Sequence, residues 1–176
     1  MSMPQSKSTL AARSMIKAGL ASIGTMLLTA IHHSYGAFIY QTPWRHYISL
    51  VSVAVIVALA LTLFVSWKWM TKPMGRLALW LFAVISFLIP VIWIGLFEGG
   101  YTHLLKNILY SSGASRTLYL KMFPPPMYET PNDVFFETTG VLQVFLGVLA
   151  GFYTYRLLQI QLRNRKLEKN SSYLQC

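Results

Sequence analysis

VSVAVIVALALTLFV, residues 51–65, holds no charge, no Gly and no Pro. Extended to Tyr47–Trp67, the run is long enough to cross about 30 Å of hydrocarbon, which takes roughly 20 helical residues. β-Branched residues are common in it, but a strand would be much shorter or would alternate polar and apolar side chains. The segment therefore reads as a membrane-spanning helix.

Three further runs have the same character, at residues 18–40, 77–97 and 134–158. Pro90 lies inside the third and is expected to kink it, because proline lacks a backbone donor and crowds the preceding turn. Gly99-Gly100 is expected to end that helix. The fold class that follows is an all-α membrane protein: four transmembrane helices in a bundle, with an outer loop (98–133) carrying a short amphipathic helix. Residues 1–17 form a basic N-terminus and 159–176 a basic tail.

Composition agrees with a lipid solvent. Of the 176 residues, 55% are hydrophobic and 11% charged, whereas a soluble domain carries about 25% charged residues. Mean hydropathy is +0.48. The net charge of +10 comes from residues that flank the apolar runs. Those positions suit anchoring in the bilayer, and no nucleic-acid-binding or phosphate-loop motif is present. The single cysteine, Cys176, excludes an internal disulfide framework or a CxxC metal knuckle.

Basic residues also set the expected orientation. Lys7, Arg13, Lys17, Lys68, Lys72, Arg76, Arg156, Arg163, Arg165, Lys166 and Lys169 fall on one side of the predicted topology. Arg45, Lys106, Arg116 and Lys121 fall on the other. Both termini are thus expected in the cytoplasm and loop 98–133 outside, with a bacterial inner membrane as the default location. The first run carries two histidines and no small-x-small cleavage site, so it reads as a span rather than a cleaved signal.

Four of the five acidic residues, Glu98, Glu129, Asp133 and Glu137, lie in or beside the outer loop. His103 is among them, and His32-His33 interrupts the first span. Ionisable groups next to lipid are costly and mark function by default. At 100° per residue, Thr25, Thr29, His32 and Gly36 share a stripe of the first helix. Glu137 lies one turn inside the fourth, so His32, Glu98 and Glu137 can meet at one level, with His103 and Asp133 just above.

His33, Glu98 and the rest of that set (His32, His103, Asp133 and Glu137) are the candidate metal ligands, for Zn, Fe, Mn or Cu. Glu137 and Glu98 are the candidate catalytic acid–base groups. A metal-free alternative is open, because a carboxylate in an apolar pocket holds its proton more tightly and a histidine can relay it. That would serve an enzyme or proton-coupled carrier for a lipid-soluble substrate. A third reading is structural: Glu137 locks the loop to the bundle of an accessory subunit.

Asp133 has a second reading within Thr130-Pro131-Asn132-Asp133, a helix-start signal with Thr130 as cap and Asp133 closing a capping box. YTHLLKNILYSS (101–112) is the predicted amphipathic helix, with His103 and Asn107 on one face. Finally, Gly140, Gly147 and Gly151 form a small-residue stripe on the fourth helix. It predicts close helix approach, either within the chain or to a second copy or a membrane-protein partner.

Overall fold

The structure, a computed structural model, describes residues 5–173, and side chains from Leu10 to Leu167. Cys176 and the side chains of Lys7, Glu168 and Lys169 lie outside those described. The described residues are helical with no strand: α1 (Gln5–Ile39), α2 (Arg45–Lys68), α3 (Pro73–Ser86), a π-helical segment (Phe87–Leu105), α4 (Lys106–Ser111), α5 (Arg116–Met122) and α6 (Val134–Tyr173). From α3 through α4 the chain is one long helix, Pro73–Ser111. With Leu10–Ile39, Arg45–Lys68 and Val134–Leu167 it makes four helices long and apolar enough to cross a membrane.

Helix α1 is the hub, packed against both α2 and α6, while α6 also packs along the π segment. Its buried seam, Ala11, Met15, Ala18, Ser22, Thr25, Thr29, His32 and Gly36, alternates steps of four and three residues. That is the 3.5-residue repeat of a left-handed pair, filled here with small side chains that let backbones come close. The seam of α6, Phe136, Gly140, Gln143, Gly147, Ala150, Thr154 and Leu157, has the same rhythm.

Much of the interior is polar and much of the surface apolar. Ser22, Thr25, Thr29, His32, Ser86, Gln143 and Thr154 are fully buried. Leu20, Phe38, Leu61, Trp93 and Phe145 are more than half exposed. Cross-helix bonds use the buried groups: Ser86 Oγ to Ser22 Oγ at 3.0 Å and Gln143 Nε2 to Thr29 Oγ1 at 3.4 Å. An apolar exterior around a hydrogen-bonded interior fits an integral membrane protein, whose solvent satisfies no polar group.

Two expectations need correction, and a third is narrowed to one of its alternatives. Gly99-Gly100 does not end the third helix, which runs on to Ser111. Residues 101–112 therefore continue that helix up to Ser111 instead of forming a separate surface helix; the loop's own short helix is α5. Second, the helix around Pro90 runs in a π register from Phe87 to Leu105, which the expectation of a kink did not foresee. A proline removes a ladder donor, and i→i+5 bonding is one way a helix accommodates the mismatch. Buried positions here (Ser86, Pro90, Ile94–Gly95, Glu98–Gly99, His103) recur at four to five residues, in keeping with the wider turn.

Third, the glycine stripe of α6 is closed by the chain's own third helix. A Cβ on Gly147 would stand 2.6 Å from Gly95 Cα, and one on Gly140 would stand 2.2 Å from His103 Cγ. Gly151 meets Val91 at ordinary contact distance, 3.5 Å. The stripe thus packs inside the monomer, the first of the alternatives that the sequence left open.

Candidate metal centre

Two helices deliver side chains to one buried point. His32 comes from α1, Glu98 and His103 from the π segment, and their ligand-type atoms all lie within 4.8 Å of one another. In an α-helix residues five apart diverge by about 140°. With i→i+5 bonding they stack, which is how Glu98 and His103 share a face. Exposures of 0%, 8% and 4% for His32, Glu98 and His103 exclude bulk water from the group.

The hydrogen bonds behind the rings fix what each ring presents. His32 Nδ1 lies 2.9 Å from Thr139 Oγ1. That hydroxyl donates to the carbonyls of Phe135 and Phe136 at 2.8 and 3.0 Å, so its oxygen accepts from His32. His32 Nε2 is then the bare lone pair. It is buried, has no hydrogen-bond partner, and stands 4.0 Å from Glu98 Oε1. Phe136 stacks on the ring at 4.1 Å and holds its plane.

His103 is oriented in the same way. Its Nδ1 is 2.9 Å from Glu137 Oε2, which leaves Nε2 to face a ligand. A ligating histidine almost always gives its second nitrogen to a carboxylate or other acceptor, which sets tautomer and basicity. The ring is seated against Gly140, where no side chain would fit.

His33 joins from α1. Its Nε2 is 2.9 Å from Glu98 Oε1, yet the two atoms are not aligned for a hydrogen bond and neither has another. Lone-pair atoms crowded together without a bond between them suit ligands of one ion. With metal–ligand bonds of about 2.1 Å, ligand atoms at right angles sit about 3 Å apart and opposite ones about 4.2 Å. Closing the widest separation takes a movement of about half an ångström, within reach of side-chain torsions.

His33 touches Glu98 but is not among the three residues whose ligand atoms all lie within 4.8 Å of one another, and two further sequence candidates stand outside that group as well. Asp133 is the N-cap of α6: its Oδ1 accepts from Phe136 N at 2.7 Å and its Oδ2 from Tyr35 Oη at 3.0 Å. The cap is three residues later than Thr130-Pro131 suggests, because the helix begins at Val134. Glu137 lies behind His103. Besides that ring it accepts from Asn107 Nδ2 and Lys106 Nζ, both at 2.8 Å.

Lys106, Thr139 and Arg45 were not singled out as site residues from sequence. Lys106 is 2% exposed and also reaches Glu129 O at 3.2 Å. Buried Arg45 pairs with the Glu129 carboxylate and donates to Thr42 Oγ1 at 2.8 Å. Tyr40 Oη donates to Asn132 Oδ1 at 2.8 Å, so the loop is tied to α1 and α2 above the histidines. The spacing His103-x2-Lys106-Asn107 was the available signal: it puts all three on the side of the helix that meets Glu137.

These parts define a helical membrane-type fold with a buried His/carboxylate group that could hold a metal. No protein-family model matches the chain, and no curated protein or solved structure is similar to it.

Proposed function

We propose that the chain is a four-span transmembrane bundle that holds one transition-metal ion at the level of its outer loop. His32 Nε2, His103 Nε2 and Glu98 are the ligands, and His33 is the fourth. Glu137 and Thr139 are positioning residues, and Asp133 is a cap. The observation that carries this reading is His32. Its Nδ1 lies within hydrogen-bond distance of Thr139, and its Nε2 is buried with no hydrogen-bond partner.

Charge supports the same reading. Glu137 is matched by Lys106, but no Lys or Arg among the described residues pairs with buried Glu98. An uncompensated buried carboxylate is expensive, and a bound cation removes that cost. Two histidines and one carboxylate with positions left open suit non-haem Fe(II), while a complete set of three imidazoles and a carboxylate also suits Zn, Mn or Cu(II). Such an ion supplies Lewis-acid or redox chemistry, and the bundle would act as a metal-dependent membrane enzyme.

Metal analysis of detergent-purified protein tests this. One equivalent of a transition metal is expected, lost in His32→Ala and in Glu98→Gln. A folded protein free of metal after expression in metal-supplemented medium overturns it. One observation favours a metal-free proton site: the 2.9 Å approach of His33 to Glu98. That reading predicts folded, active, metal-free protein whose activity requires His33. We also place both termini in the cytoplasm of a bacterial inner membrane. Reporters fused after Tyr173 and inserted within 112–121 should read opposite sides.

A further inference from the structure

At the end of the bundle remote from the histidines, α3 and α6 enclose a cavity of about 90 Å³. Arg76 of α3 and Arg165 of α6, both exposed, line it; Thr71, Gln161 and Asn164 add polar groups, and Leu79, Trp80, Leu158 and Leu162 form the apolar wall. The volume holds several waters, the scale of one phosphate group with its oxygens.

We propose that this cavity is a binding site for the phosphate of an anionic membrane lipid. Two arginines from different helices converge on one small space, and a guanidinium presents a fork of donors matched to phosphate oxygens. Among the described residues, no carboxylate neutralises these cations. Helix α3 has no acidic residue in its first turn, and no described carboxylate pairs with Arg76 or Arg165. Four of the five acidic residues lie at the opposite end, and the fifth, Glu168, has no described side chain.

The remaining lining selects the source of the phosphate. A free anion needs no apolar wall, whereas Leu79, Leu158, Leu162 and Trp80 offer the start of an acyl chain a surface continuous with the exposed apolar flank of α3 at Leu77 and Leu81. Trp at this depth is also the residue that seats a helix among headgroups. A basic pocket between spans, bounded by aromatic and aliphatic side chains, is a recurrent lipid-headgroup geometry.

The test is native mass spectrometry of the full chain in detergent, titrated with dioleoylphosphatidylglycerol or dioleoylphosphatidylcholine. One phosphatidylglycerol should bind at least about tenfold more tightly than phosphatidylcholine. Arg76→Gln with Arg165→Gln should weaken it about thirtyfold, from a factor of about five per basic residue near a charged headgroup. Arg163→Gln with Lys166→Gln, which removes the same charge from the neighbouring open groove, should leave it within twofold. Equal binding of the two lipids overturns the proposal. So does an equal loss in both double variants, which would mean diffuse attraction. Displacement of the lipid by an equal concentration of inorganic phosphate overturns it in favour of a free-anion site.

Discussion

His103 and Glu137 are joined, Nδ1 to Oε2 at 2.9 Å, across the interface between the π segment and α6. The carboxylate sits behind the ring, so its influence on any ligand passes through the imidazole. Glu137→Gln keeps the shape and removes the charge. Metal affinity should fall 10- to 100-fold, the usual effect of losing an orienting partner. A chelator competition read by metal analysis measures this. Thermal stability in detergent should fall too, by about 3–5 kcal/mol at the upper limit, because Lys106 is left buried beside a neutral amide.

Gly140→Ala tests the seat of His103. The added methyl would meet the ring 2.2 Å away, so the imidazole must leave its position. Metal content should drop while the protein still inserts. Gly24→Ala is the control, since nothing lies within 4 Å of that methyl. It should leave metal unchanged and add up to about 1 kcal/mol of helix stability.

Arg45 and Glu129 hold the loop down over α1 and α2. Glu129→Gln strands a buried guanidinium and should destabilise the fold by roughly 3–5 kcal/mol, whereas Arg45→Met with Glu129→Met should recover much of that loss. Limited trypsin digestion at Arg116 and Lys121 reports it directly. Cleavage should speed up in the single variant and return toward the parent rate in the double one.

Tyr40 responds to alkali. Burial, and then the nearby carboxylates of Glu137, Asp133 and Glu129, push its phenol from the usual 10.0 up to about 12. The folded state thus holds the proton more tightly than the unfolded one. Its stabilising contribution is complete below pH 10 and is lost as pH rises toward 12. Absorbance at the phenolate band should show a late-titrating tyrosine that disappears in Tyr40→Phe.

Much of the bundle was legible in the chain because α1, α2 and α6 each carry an apolar run long enough to cross a membrane. The stripe through Thr25, Thr29 and His32 follows from 100° steps, and its burial is what the structure has. Level matching of His32 with Glu98 follows from counting residues inward from each span end. The π register was hidden for a physical reason. Phe87–Leu105 is apolar on nearly every side, so its hydrophobic pattern has no period to read. Without that register Glu98 and His103 point apart, and the Gly-Gly pair looks like a break rather than a place where Gly99 lies against the backbone of Val144. Asp133 was ambiguous because a short acid next to a helix start can serve either end of a capping motif.

The bond between His32 and Thr139 spans 107 positions of sequence. During synthesis the first helix must therefore reach the lipid carrying an imidazole whose acceptor has yet to be translated. Only when the last span arrives is that ring given its tautomer and its neighbours. On the proposed metal reading, a chain truncated before Val134 would keep every ligand but lose Thr139 and Glu137, the partners that orient two of the rings.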